Sequence, residues 1–139
     1  MKIFVYFAGR PKNPHANALA AEYLKRAGRY VKCEMKEVRP GRVRWWEDHP
    51  RSRKVLLDAA GAMMDSAGFA RLIQEHEAAG RDLVFVVGGA DGLPEEWKQR
   101  ADILVSLSPM TLPHELARVL VAEQIYRAYT TIRGHPYPR

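Results

Sequence analysis

Apolar and polar positions follow two periods along this chain, and the switches between them lay out its elements. Ile3 to Ala8 is a short apolar, aromatic run that stops at Gly9-Arg10-Pro11, the pattern of a strand. Asn13-Pro14 then offers a side-chain cap and a first-turn proline. Ala16, Leu19, Ala20, Tyr23 and Leu24 recur at helical spacing as far as Gly28. Tyr30 to Val38 alternates roughly apolar and charged residues, as a strand with one exposed face does. Arg39 to Lys54 has no useful period. It holds Pro40, Gly41, Pro50, the pair Trp45-Trp46 and five arginines, and reads as an exposed basic connection. Val55-Leu56-Leu57-Asp58 is a short buried strand ending in an acid. Ser66 is the expected cap of a helix running to about Ala79, with Phe69, Leu72, Ile73 and His76 along one side and Gly80 as its stop. Leu83 to Val87 is apolar without interruption, which fits a strand buried on both faces. Pro94, Glu95 and Glu96 begin a short helix, Ile103-Leu104-Val105 is another buried strand, and His114 to Arg133 is the longest helix.

Strands and helices therefore alternate. The expected class is α/β, with a mainly parallel sheet of about five strands flanked by helices, in a single domain over residues 1–139. In such sheets ligands bind beyond the carboxyl ends of the strands. That singles out the loops after Leu57, Val87 and Val105.

Charge and composition narrow the function classes. Lys and Arg number 22 against 16 Asp and Glu, a net charge of +6 on 139 residues, which favours a polyanionic partner, either nucleic acid or an acidic membrane surface. The lone Cys33 cannot form an internal disulfide, and five scattered His with one Cys argue against a structural metal. No run approaches the roughly 20 apolar residues of a membrane helix, and the opening strand is too short and aromatic for a signal peptide. The expectation is a soluble cytoplasmic protein with no membrane association and no metal.

Several features could carry chemistry. Gly88-Gly89-Ala90-Asp91-Gly92 joins a buried strand to a helix and is either a tight turn or a cofactor contact. It is neither a dinucleotide-binding fingerprint nor a phosphate-binding loop, which leaves a flavodoxin-like or nucleotide-binding enzyme poorly supported. Ser106 to His114 mixes Leu107, Met110 and Leu112 with hydroxyls and two prolines. It is a buried structural loop or the wrap of an amphipathic ligand. The last helix is apolar nearly all round, as at a subunit interface. Glu123 and Arg127 interrupt it at i, i+4 spacing beside Arg118, either as an ion bridge or as site residues. His114 at the helix start is a candidate base or phosphate contact, or a solvated first-turn residue. The tail residues His135, Tyr137 and Arg139 would fray or, stiffened by prolines, contact RNA.

The second half of the chain closely resembles a known family. Val86-Val87-Gly88-Gly89-Ala90-Asp91-Gly92, Ser106 to His114, Arg118 to Ala128 and Gly134-His135-Pro136-Tyr137 are similar, in this order, to the RlmH family. These are bacterial 23S rRNA pseudouridine N3-methyltransferases of the SPOUT class. Met1 to Gly9 and Leu56-Leu57-Asp58 with Gly61, Ser66 and Phe69-Ala70 also look like the family, so the resemblance covers most of the chain except residues 39–54.

The resemblance implies a SPOUT-type fold whose C-terminal part is threaded as a trefoil knot, a homodimer, and S-adenosylmethionine as methyl donor. It implies methylation at N3 of a pseudouridine in large-subunit ribosomal RNA, on the ribosome or a subunit. By matching positions, the cofactor contacts would be Leu57, Gly89, Ser108, Pro109, Met110, Thr111, Leu112 and Pro113. The catalytic candidates are His114, Glu123, Arg127 and Tyr137, with Glu123 or His114 as base and Arg127 as anion stabiliser. Arg118, His135 and Arg139 are the RNA-binding candidates. Two departures stand out. Pro138 occupies a position where the family usually has His, and the 39–54 segment is shorter than the family's and lacks its helix. The alternative reading is a SPOUT-fold module that binds RNA or the ribosome with weakened catalysis.

Overall fold

A computed structural model describes residues 1–137. The chain runs β1 (Lys2–Ala8), α1 (Pro14–Ala27), β2 (Lys32–Val38), a 3-10 turn (Pro40–Arg42), α2 (Trp45–Asp48), β3 (Arg53–Met63), α3 (Ser66–Ala79), β4 (Leu83–Val87), α4 (Glu95–Arg100), β5 (Ile103–Ser106) and α5 (His114–Arg133). All five strands are parallel, in the order β2-β1-β4-β3-β5. The five apolar residues of β4 are buried because β1 and β3 flank it and layers cover both its faces.

The side-chain period of two sorts the strands between two unequal layers. On one face Ile3, Val5, Phe7, Val55, Leu57 and Phe85 pack against α1, α3 and α5 through Ala20, Leu24, Phe69, Ile73, Ala122, Ile125 and Tyr129. On the other, Leu56, Val84 and Val86 meet Trp45 of α2, Leu93 and Trp97 of α4. Three long helices thus cover one side, and two tryptophan-bearing turns cover the other.

Local signals place most helix ends. Asn13 Oδ1 accepts from the N–H groups of His15 and Ala16 at 3.0 and 3.1 Å, so α1 starts where its cap residue predicts. Gly80 ends α3 at φ 66°, in the left-handed region that spares glycine the Cβ penalty. The cap of α3 is Asp65, not Ser66: its Oδ1 accepts from Gly68 N–H at 2.7 Å, and Ser66 is the first helical residue. A carboxylate and a hydroxyl in adjacent positions both cap well, and only the backbone path selects one.

Two further expectations are corrected. The 39–54 segment is not simply exposed. Trp45 is buried at the centre of the tryptophan layer, Ser52 and Lys54 are buried, and Lys54 already belongs to β3. A crossover anchored by one large side chain leaves no periodicity to read. β3 also continues beyond Asp58 to Met63. It shifts register between Leu57 and Ala62 and pairs again with β5 through Ala62–Val105 and Met63–Ser106. Gly61 permits this, since a Cβ there would lie 2.6 Å from the backbone carbon of Leu104.

Candidate functional site

Three strand exits meet at the carboxyl end of the sheet. β3 delivers Leu57 and Asp58, β4 delivers Gly88 and Gly89, and β5 delivers the loop before α5. Together with Leu93, Leu107, Ser108, Met110, Thr111, Leu112, His114 and Ala117 they line a cavity of about 280 Å³. The Gly88–Gly92 turn is held by Gly92 N–H donating to Gly89 O at 3.0 Å, with Gly92 at φ 76°. Its first two glycines have little room for a side chain. A Cβ on Gly88 would lie 2.9 Å from Gly92 C, and one on Gly89 would lie 3.1 Å from Ala8 O. The following loop braces itself: Ser106 Oγ donates to Ser108 O at 2.9 Å, and Met110 N–H donates to Ser108 Oγ at 2.9 Å. This leaves a wall of backbone, small residues and apolar side chains, suited to an amphipathic ligand rather than to a phosphate.

The one charged side chain paired in that wall is Asp58. It receives Lys98 Nζ at 2.8 Å and Ala60 N–H at 2.8 Å, and these contacts hold its carboxyl below the usual range, with the Lys98 contact the largest cause. Sequence reasoning marked Asp58 only as the acid that ends a strand and did not single out Leu93, whereas Gly88 and Leu107 lie in the turn and the loop that it weighed as ligand contacts. The signal for Leu107 was its place in a loop that a solvated linker would fill with polar residues.

The sequence-derived candidates separate into groups. Leu57, Gly89, Ser108, Met110, Thr111, Leu112 and His114 line the cavity. Pro109 faces a second concavity of about 570 Å³ on the other side of the loop, with Met63, Met64 and Arg71. Pro113 is the residue preceding α5 and does not line the cavity. Glu123, Arg127 and Tyr137 form one cluster: Arg127 Nη2 donates to Glu123 Oε2 at 2.7 Å, its Nε reaches both carboxylate oxygens, and the Tyr137 hydroxyl donates to Oε2 at 2.9 Å. The Arg127 guanidinium lies 5.1 Å from the Tyr137 ring centre. The Tyr137 ring packs edge-on against Tyr126, so the first part of the tail is seated on α5. His135 borders a shallow surface depression with Arg127 and Tyr137. Arg139 and Pro138 lie outside the described residues.

Arg118 requires a correction. It is 1% exposed and presents no guanidinium to a surface partner. Its Nη2 donates to Ala8 O at 2.9 Å and Gly9 O at 3.2 Å, and its guanidinium stacks 4.0 Å from the Phe7 ring centre. Glu115 is its nearest carboxylate at 3.8 Å, and burial lowers the guanidinium pKa. Glu115 also accepts from the N–H groups of Lys12 and Asn13 at 2.6 and 3.0 Å. The pair ties the β1 exit to the first turns of α5. Sequence spacing places Arg118 beside Glu123 and Arg127, but the helix turns it inward.

The exposed apolar residues of α5 are Leu116 and Leu120, one turn apart, with Met110 exposed on the loop before it. No group of three or more His, Cys, Asp or Glu among the described residues could hold a metal ion. No helix among them is long and apolar enough to cross a membrane.

Comparison with known proteins bears on this geometry. The family model described as predicted SPOUT methyltransferase matches residues 1–138. A protein of Solibacter usitatus named ribosomal RNA large subunit methyltransferase H is 61% identical over 139 residues, covering all of both chains. One of the same name from Thermus thermophilus is 39% identical over 142 residues, covering all of this chain and 99% of the other. Among solved structures, a probable methylase family protein of Haemophilus influenzae superposes with a TM-score of 0.68 at 13% identity, covering 99% of this chain and 70% of that one. The SpoU methyltransferase AviRb of Streptomyces viridochromogenes, solved in complex with AdoMet, gives 0.57 at 16% identity, covering 94% and 61%. These last two likenesses concern the fold.

Proposed function

Because this chain belongs to the SPOUT methyltransferase family, alongside the ribosomal RNA large subunit methyltransferase H proteins, we propose that it is an S-adenosylmethionine-dependent methyltransferase of large-subunit ribosomal RNA. The target implied by the sequence resemblance is N3 of a pseudouridine in 23S rRNA. The observation that carries the reading is the convergence of three strand exits on one cavity whose turn glycines, Gly88 and Gly89, lie so close to neighbouring backbone that a Cβ would crowd it.

The cavity suits the methyl donor. Its wall offers backbone groups at Leu57, Gly89 and Ser108 to Leu112, apolar side chains for a flat heterocycle, and no phosphate cradle. When bound, S-adenosylmethionine supplies an electrophilic methyl group on a sulfonium. Leu57, Gly89, Ser108, Met110, Thr111 and Leu112 hold it, and Pro109 and Pro113 stiffen the loop from outside. His114, which lines the cavity, is the candidate for handling the proton of an incoming nucleophile.

Glu123 takes a different part from the base expected of it. Arg127 and Tyr137 already donate to its oxygens, so it orients those two groups. Arg127 is then the cation that stabilises charge developing on the base oxygens as N3–H loses its proton. At about 1.5 Å per residue, Arg127 lies about 20 Å along α5 from His114. The cluster cannot serve the cavity of its own chain from there. A homodimer formed through the Leu116 and Leu120 face would supply the cluster from the second copy, and the apolar exposure of that face supports it. His135 and Arg139 would contact RNA. The reading also includes a C-terminal trefoil knot, a single domain and a cytoplasmic site of action.

The test is transfer of labelled methyl from S-adenosylmethionine to ribosomes, large subunits and free rRNA lacking the mark. Transfer at a pseudouridine is expected. Binding of RNA with neither transfer nor cofactor-induced thermal stabilisation would establish the binding-module alternative instead.

A further inference from the structure

Parallel pairing places two basic loops side by side at the cavity end of the sheet. β1 and β2 pair in register as far as Ala8 and Val38, so the chain leaves both strands at the same level. Arg10 and Lys12 follow β1, and Arg39 and Arg42 follow β2. All four are exposed. None has a carboxylate at ion-pair distance among the described residues, whereas Arg26, Lys36, Arg44, Lys98, Arg127 and Arg133 do. Four exposed cations from two separate loops therefore share one end of the molecule.

That end adjoins the cavity. The backbone of Ala8 and Gly9 lies against Gly89, close enough that a Cβ on Gly89 would meet Ala8 O. β2 is two strand spacings from β4, about 10 Å. The β1 exit is also fixed in place, since Arg118 holds the carbonyls of Ala8 and Gly9 from below and Glu115 holds the N–H groups of Lys12 and Asn13. Hydrogen bonds from a buried guanidinium and to a carboxylate keep this loop from collapsing onto the protein surface.

We propose that Arg10, Lys12, Arg39 and Arg42 form a cationic collar that grips the phosphodiester backbone of the RNA strand whose target base enters the cavity. This deepens the reading given under Proposed function and rests on it for the choice of RNA as the polyanion. Phosphate contacts fix register and orientation without reading sequence, which suits exposed cationic side chains at the mouth of the cavity. The 39–54 crossover supplies two of the four cations.

The experiment compares the Arg10→Ala/Arg39→Ala pair and the four-alanine variant with an Arg29→Ala/Lys32→Ala control. The control removes two exposed cations from the opposite end of the sheet. Binding to a large-subunit rRNA transcript is measured across a salt series, and thermal stabilisation by S-adenosylmethionine is measured in parallel. Each lost phosphate contact should reduce the slope of log K against log salt by about 0.7 to 0.9. The pair should therefore lose about 1.4 to 1.8 units of slope and about 10-fold or more in affinity at moderate salt. The control should keep the wild-type slope, and all variants should keep cofactor stabilisation. Wild-type affinity and slope in the four-alanine variant would overturn the collar. So would an equal loss in the control, which would mean that net charge alone matters. Should the wild type bind rRNA through the collar yet transfer no methyl to any ribosomal substrate, the catalytic reading fails and the collar stands.

Discussion

At its first turn, α5 meets a cavity walled by backbone, glycine and apolar side chains. Three turns later the same helix carries Glu123, whose carboxylate accepts hydrogen bonds from both Arg127 and the Tyr137 hydroxyl. The cavity is defined by what is missing from it, so added atoms damage it. The cluster is defined by three functional groups, so removed atoms damage it. Substitutions of opposite sense should therefore separate holding the methyl donor from acting on the RNA base.

The largest effect is expected where backbone itself stands in the way. Gly61→Val would drive a side chain into the Leu104 backbone at the β3–β5 rejoining and should cost about 3 kcal/mol, read as a shifted denaturation midpoint. An unchanged midpoint would mean that the β3 extension is loosely held. Next come two substitutions to be measured together. Gly89→Val should abolish thermal stabilisation by S-adenosylmethionine along with methyl transfer, because its Cβ meets Ala8 O and its methyls fill the cavity wall. Arg127→Ala should retain that stabilisation while transfer falls about 100-fold or more. If both variants lose cofactor stabilisation, the two regions are not separable in function.

Tyr137→Phe removes one hydrogen bond to Glu123 and should lower transfer about 10-fold at most. Burial, with hydrogen bonds to Tyr23 and Glu123, raises the Tyr137 pKa. The hydroxyl therefore stays protonated near neutrality, and the variant's pH–rate profile should keep the wild-type shape. The smallest effect belongs to Asp58. Its folded pKa lies below the unfolded value of 3.8, so its stabilising contribution is present above that pH and is lost as pH falls through the folded value. Asp58→Asn should cost about 1 kcal/mol at pH 7, and the stability difference from wild type should shrink on acidification below pH 4. A difference that persists in acid would assign the loss to packing.

Much of this was fixed by local physics. The four apolar strands and the alternating β2, the Asn13 and Gly80 helix ends, the span of α5 and the three loops that line the cavity follow from periodicity, capping and the rule for parallel sheets. Sequence spacing also grouped Glu123 with Arg127, because i and i+4 share a helix face. Tertiary structure decided what depends on partners distant in the chain. Arg118 looked like a surface cation until the carbonyls of Ala8 and Gly9, more than a hundred residues earlier, drew it inside. Trp45 and Lys54 became buried because a crossover without periodicity closes over the sheet. β3 outran its apolar segment because β5 offered a second register. The order of the strands set the rest: by placing β1 between β2 and β4, it brought two basic exits beside the glycine turn, a proximity no local pattern encodes.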